Sequence, residues 1–198
     1  MIDLCFRAIL ICCEGKTAKS YFEVISDIFR ISFATAIEIV GEKGMYKSLI
    51  DKTVAERQKY AQEKDLAIEE IESWAVCDCD KMPIKYHELK DYAESFNVKL
   101  AFAKPQFEAY LVQHFAQSKT TKKDELCKML TEFSKRYGYD KKYVKDKANL
   151  SWLYQAILDD QNIVDIAITN SKLRNKPLDP VFLTVQDLTA FLVSLEPK

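Results

Sequence analysis

The stretch FRAILICCEG (residues 6–15) sets the fold class. Seven of its first eight residues are apolar, and the run stops at once in Glu14-Gly15. It is too short for a typical helix, and it reads as a buried strand that ends in a turn. The period then changes. Ala18, Tyr21, Phe22, Val24, Ile25, Ile28 and Phe29 recur at helical spacing over residues 17–31, which predicts an amphipathic helix lying back on the strand.

The same alternation continues outward. TAIEIV (35–40) reads as a second strand closed by GEKG, and residues 46–63 as a long polar helix. SWAVCD (73–78) is the third strand, PIKYHELKDYAESF (83–96) a helix with proline in its first turn, and VKLAFA (98–103) the fourth strand. Pro105 then opens QFEAYLVQHF as a helix. Strands alternating with helices predict a three-layer α/β fold with a mainly parallel sheet. Beyond His114 the patterns are helical, over 122–137, 149–173 and 185–195, and no strand is expected among them. The expected organisation is an α/β core over residues 1–116 and a helical C-terminal subdomain over 117–198 packed on it.

Composition narrows the function classes. A chain of 198 residues that is 48% hydrophobic and 12% aromatic can bury a real core, so disorder is excluded for most of it. Four glycines and five prolines argue against a turn-rich all-β fold. A net charge of −1 gives no global argument for nucleic acid, yet residues 119–147 hold ten Lys and Arg against five Asp and Glu. Such a segment can meet phosphates or be a solvated helix face. Four of the six cysteines (Cys12, Cys13, Cys77 and Cys79) lie in apolar strand runs, where cysteine behaves as a small hydrophobe. Their C-C and C-x-C spacings lack the C-x2-C of zinc sites. With no cleavage-site pattern and no run of ~20 apolar residues, the expectation is a cytoplasmic protein with reduced thiols that does not enter a membrane.

In open α/β sheets, ligands bind beyond the carboxyl ends of the strands. The acids at those ends are Glu14 after the first strand, with Asp78 and Asp80 after the third. Extended residues i and i+2 share a face, so Asp78 and Asp80 stand ~7 Å apart on one side and Cys79 faces the other. With Glu14 they make a hard oxygen cage suited to Mg²⁺ or Mn²⁺. Lys104 ends the fourth strand.

These segments resemble the RloB-like proteins, a prokaryotic, Toprim-related group often found with restriction or phage-defence genes. The resemblance rests on three motifs in order: Glu14-Gly15 followed by Tyr21-Phe22, then Asp78-x-Asp80, then Pro105, Phe107, Glu108, His114 and Phe115, with Tyr110 in a tryptophan position. It is strongest over residues 8–116. Two positions depart from the pattern: Ala18 follows Thr17 where the family has an acid, and Lys104 replaces an asparagine. The missing acid bears on whether one ion or two are held.

The resemblance implies a Toprim-like core and metal-dependent cleavage of DNA or RNA phosphodiester bonds. It implies Glu14, Asp78 and Asp80 as metal ligands, Glu14 being also a candidate general base. Lys104 and Glu108 complete the expected catalytic set, and Lys16, Lys81, Lys104 and His114 are candidate phosphate or nucleic-acid contacts. Expected partners are nucleic acid and an ATPase or other defence-system protein. The competing expectation is a degenerate Toprim-like module that binds nucleic acid or a partner without cutting. A receiver-like phosphoacceptor fits the doubled aspartate poorly, and haloacid-dehalogenase-like phosphatases carry D-x-D after the first strand rather than the third.

Overall fold

The computed structural model describes residues 7–31, 35–42, 44–78, 85–145 and 150–196. Cys79, Asp80 and Lys81 lie outside the described residues. The elements run β1 (Arg7–Cys13), α1 (Lys16–Ile28), β2 (Thr35–Val40), α2 (Tyr46–Lys64), β3 (Ile71–Asp78), α3 (Tyr86–Ser95), β4 (Lys99–Lys104), α4 (Glu108–Val112), α5 (Lys123–Lys135), α6 (Ser151–Asp159), α7 (Asn162–Lys172), β5 (Phe182–Leu183) and α8 (Val185–Val193).

The five strands form one sheet in the order β2-β1-β3-β4-β5; all neighbours are parallel except β5, which runs antiparallel to β4. β1 lies inside the sheet, and its residues from Ala8 to Cys13 are all buried, which is why it reads as a continuous apolar run rather than an alternating one. Its side chains divide between two cores. Ile9, Ile11 and Cys13 pack with α1, α4 and the later helices, while Ala8, Leu10 and Cys12 pack with Leu49, Ile50 and Tyr60 of α2 and Leu89 and Ala93 of α3. Helices on both faces of a parallel sheet make the three-layer α/β architecture. Each fully buried Ile or Leu contributes roughly 1.5–3 kcal/mol. From β1 the chain crosses by α1 to β2 on one side, and it then returns over the other face to β3. The order therefore reverses between β1 and β3, and a crevice opens at their carboxyl ends.

Beyond β4 the chain differs from its expected form in three ways. First, it contributes β5, a two-residue strand too short to stand out in a helical context. Thr184 extends it: its N–H donates to the Phe102 carbonyl (2.8 Å) and its Oγ1 accepts from the Phe102 N–H (2.9 Å). Second, the helix expected over 149–173 is two. Asp160 breaks it with extended backbone, and its Oδ1 accepts from the Asn162 N–H (3.0 Å) at the start of α7, a local bond that competes with helix continuation. Third, only Glu108–Val112 of the segment after Pro105 is α-helical; it tightens into turns through Gln113 N–H to Tyr110 O and His114 N–H to Leu111 O. Phe107 through His114 are all buried. No helix among the described residues is long and apolar enough to cross a membrane.

Thr184 gives a direct test of how β5 is held. Thr184→Val keeps the shape but removes the acceptor of the Phe102 N–H. Leaving that buried donor unsatisfied is expected to cost roughly 1–3 kcal/mol in urea unfolding.

Candidate active site

The β1/β3 crevice brings two of the expected acids side by side. The Glu14 N–H donates to the Val76 carbonyl (2.9 Å), which carries the β1–β3 pairing one residue past β1. Its side chain then turns to accept the Asp78 N–H at Oε2 (3.2 Å). Asp78, at the end of β3, accepts at Oδ2 from the Phe107 N–H (2.9 Å) and from Lys145 Nζ (3.0 Å). These groups line an open cavity of about 510 Å³ that is also walled by Thr17 and Met45. Burial, and then the negative charge of Asp78, push the Glu14 carboxyl from its ordinary 4.5 up to about 7; the Asp78 N–H and Lys145 offset this in part.

Behind this pair stands a third acid. Glu108 is fully buried, and its Oε1 accepts from the Tyr143 hydroxyl (3.0 Å), itself buried. Its Oε2 has no hydrogen-bond partner among the described residues. Burial raises the Glu108 carboxyl, while Lys145 and the Tyr143 hydroxyl hold it down. Among the described residues, Lys145 thus contacts Asp78 and acts through its charge on Glu14 and Glu108.

The remaining expected residues are placed differently. Lys16 sits exposed on the rim, 3.6 Å from the exposed Glu42 carboxylate. Lys104 is turned away. In the β3–β4 register Asp78 pairs with Ala103, so the next residue points to the opposite face, and its Nζ approaches the Asp179 carbonyl (3.5 Å). Among the described residues, the lysine that reaches Asp78 is Lys145, which nothing in the sequence singled out. Its only signal was membership of the basic run YDKKYVKDK, with no motif to single it out. Asp80 and Lys81 lie outside the described residues.

His114 is not a surface cation: it is 1% exposed, so a phosphate in solvent cannot reach it. Its Nδ1 lies 3.1 Å from the Leu111 carbonyl and its Nε2 lies 3.2 Å from the Tyr21 hydroxyl. A carbonyl only accepts, so Nδ1 carries the proton and Nε2 accepts from Tyr21. Burial lowers the ring from its ordinary 6.5 to about 4. Tyr21 also stands 3.3 Å from the Tyr110 hydroxyl, which donates to Thr189 Oγ1 (2.7 Å). The Tyr21, Tyr110 and His114 motif positions therefore form a buried polar bolt joining α1, the α4 segment and α8.

The donor set can be tested against a divalent cation. Glu14 and Asp78 offer hard carboxylate oxygens at one wall, the donor type that suits Mg²⁺ or Mn²⁺. Among the described residues no group of three or more His, Cys, Asp or Glu side chains stands ready to hold an ion, and Asp80, the expected third ligand, is not among them. The profile of the RloB-like protein family matches residues 9–181. The chain belongs to this family. No curated protein and no solved structure matches it. The RloB-like match runs from β1 through the segment bearing Tyr143 and Lys145, so it takes in both contributors to the crevice.

Two titrations follow with opposite signs. The folded protein keeps the Glu14 proton between about pH 4.5 and 7, where the unfolded chain has lost it, so this group makes stability fall as pH rises through that window. Glu14→Gln is expected to raise the melting temperature at pH 8 and leave it unchanged near pH 4. For His114 the unfolded chain binds the proton first. Its contribution is complete above about 6.5 and is lost as pH falls toward 4, an effect of about 3 kcal/mol. NMR of the labelled ring should show the neutral Nδ1–H form persisting at pH 5.5.

Proposed function

We propose that this RloB-like protein is a metal-dependent nuclease that cleaves phosphodiester bonds of DNA or RNA, acting in the cytoplasm in defence against phage. The observation that carries this reading is the juxtaposition of Glu14 and Asp78 at the point where strand order reverses, facing a cavity large enough to admit a nucleotide. Glu14, Asp78 and Asp80 would hold the ion. Mg²⁺ or Mn²⁺ bound there would polarise the scissile phosphate and stabilise the leaving oxygen.

The chain's own groups supply the rest. The Phe107 N–H fixes the Asp78 carboxylate by holding one of its oxygens. Glu14 either completes the coordination of the ion or acts as general base toward a water; its Oε2 is engaged by the Asp78 N–H, so Oε1 is the oxygen that serves that role. α1 begins at the crevice without a side-chain cap, so its first backbone N–H groups favour an anion such as a phosphate. Lys16 on the rim adds positive charge for the backbone of the nucleic acid. Glu108 acts at one remove by anchoring Tyr143 and sharing the field of Lys145. An ATPase or other defence-system protein is the proposed protein partner.

A second reading has its own support. Lys145 already neutralises Asp78, and Ala18 stands in the position of the family's additional acid. Both fit a degenerate module that binds nucleic acid without cutting. Incubation with DNA, tRNA and single-stranded RNA in Mg²⁺ or Mn²⁺ separates the two. The nuclease reading expects cleavage that falls by roughly 10²–10⁴-fold in Glu14→Gln and disappears in Asp78→Ala/Asp80→Ala. Binding without cutting, across every substrate and metal, favours the module.

A further inference from the structure

We propose that Lys145 is an exchangeable counter-ion, pairing with Asp78 in the metal-free protein and yielding that carboxylate when a divalent cation enters. The proposal rests on the metal-dependent reading of the site.

Lys145 is not placed there by the chance reach of a surface side chain. Two residues before it, Tyr143 is pinned twice: its N–H donates to Thr131 Oγ1 (3.0 Å) and its hydroxyl to Glu108 Oε1 (3.0 Å), with the ring buried. Thr131 lies on α5 and Glu108 on α4, so two packed helices set where the backbone delivers the amine. The pair it makes is also partly desolvated, with side-chain exposures of 17% for Asp78 and 37% for Lys145. An ion pair in such a setting is stronger than one on the open surface.

Charge explains why a lysine stands there. Glu14, Asp78 and Glu108 share one small region, and the Lys145 charge acts on all three. Without a cation the carboxylates would repel one another at low local dielectric. A divalent ion bound to Asp78 answers the same deficit more fully. An ammonium 3.0 Å from that carboxylate and a doubly charged ion on it repel strongly, so one leaves as the other binds. The released amine remains at the crevice wall, within reach of the phosphate of a bound nucleic acid. Metal affinity in the resting protein is therefore weakened by the contact that keeps the empty acid cluster stable.

Calorimetric titration of Mn²⁺ into the metal-stripped full chain tests this without reference to cleavage. Lys145→Gln is expected to bind Mn²⁺ about tenfold more tightly than the wild type; Lys145→Arg, which keeps the charge, should stay near the wild-type affinity. Lys145→Ala repeats the first arm should the glutamine variant fail to fold. Wild-type binding with no gain in the neutral variants overturns the proposal and leaves the metal-dependent reading intact. No Mn²⁺ binding by any of the proteins removes that reading, and the counter-ion role with it.

Discussion

The carboxylate of Asp78 is the constraint on which the arrangement of the crevice depends. A charge that is only 17% exposed must be paired. It draws its partners from two separate parts of the chain: the Phe107 N–H after β4 and Lys145 from beyond α5. Its own backbone N–H goes to Glu14 after β1. Three connections that are remote in sequence thus converge at one strand end. The paths of the turn after β4 and of the segment over 139–145 follow from that need.

The two halves of the chain also share the larger of the two cores. The larger core takes residues from β1, β3 and β4 and from α1 and α4 through α8. β5 adds a strand from the C-terminal half to the sheet, and the bolt of Tyr21, Tyr110, His114 and Thr189 crosses from α1 to α8. Motif residues therefore serve two different ends. Glu14 and Asp78 face the crevice, whereas Tyr21 and His114 keep the elements that carry them in register.

Much of this was legible in the sequence, for a physical reason. Buried parallel strands need unbroken apolar runs, and FRAILICC and SWAVCD are such runs, so β1, β3 and the meeting of Glu14 with Asp78 could be read directly. What could not be read depended on tertiary context. β5 spans two residues, and part of its pairing is made by the Thr184 side chain. Lys104 was expected to contact the phosphate, but strand parity turns it to the far face, and the lysine that meets Asp78 comes from 41 residues further along the chain. His114 carries a residue type common at reactive sites, yet its burial makes it a neutral hydrogen-bonding core residue. Nothing local to either side chain distinguishes these outcomes.

The central claim is that the Glu14–Asp78 crevice is a divalent-cation site. An anomalous-difference map from crystals soaked in Mn²⁺ tests it most directly. The account predicts a peak at roughly 2.0–2.3 Å from carboxylate oxygens of Glu14 and Asp78, with Lys145 Nζ withdrawn from Asp78. A peak elsewhere, or none in the crevice at saturating Mn²⁺ with Lys145 still on Asp78, would contradict it.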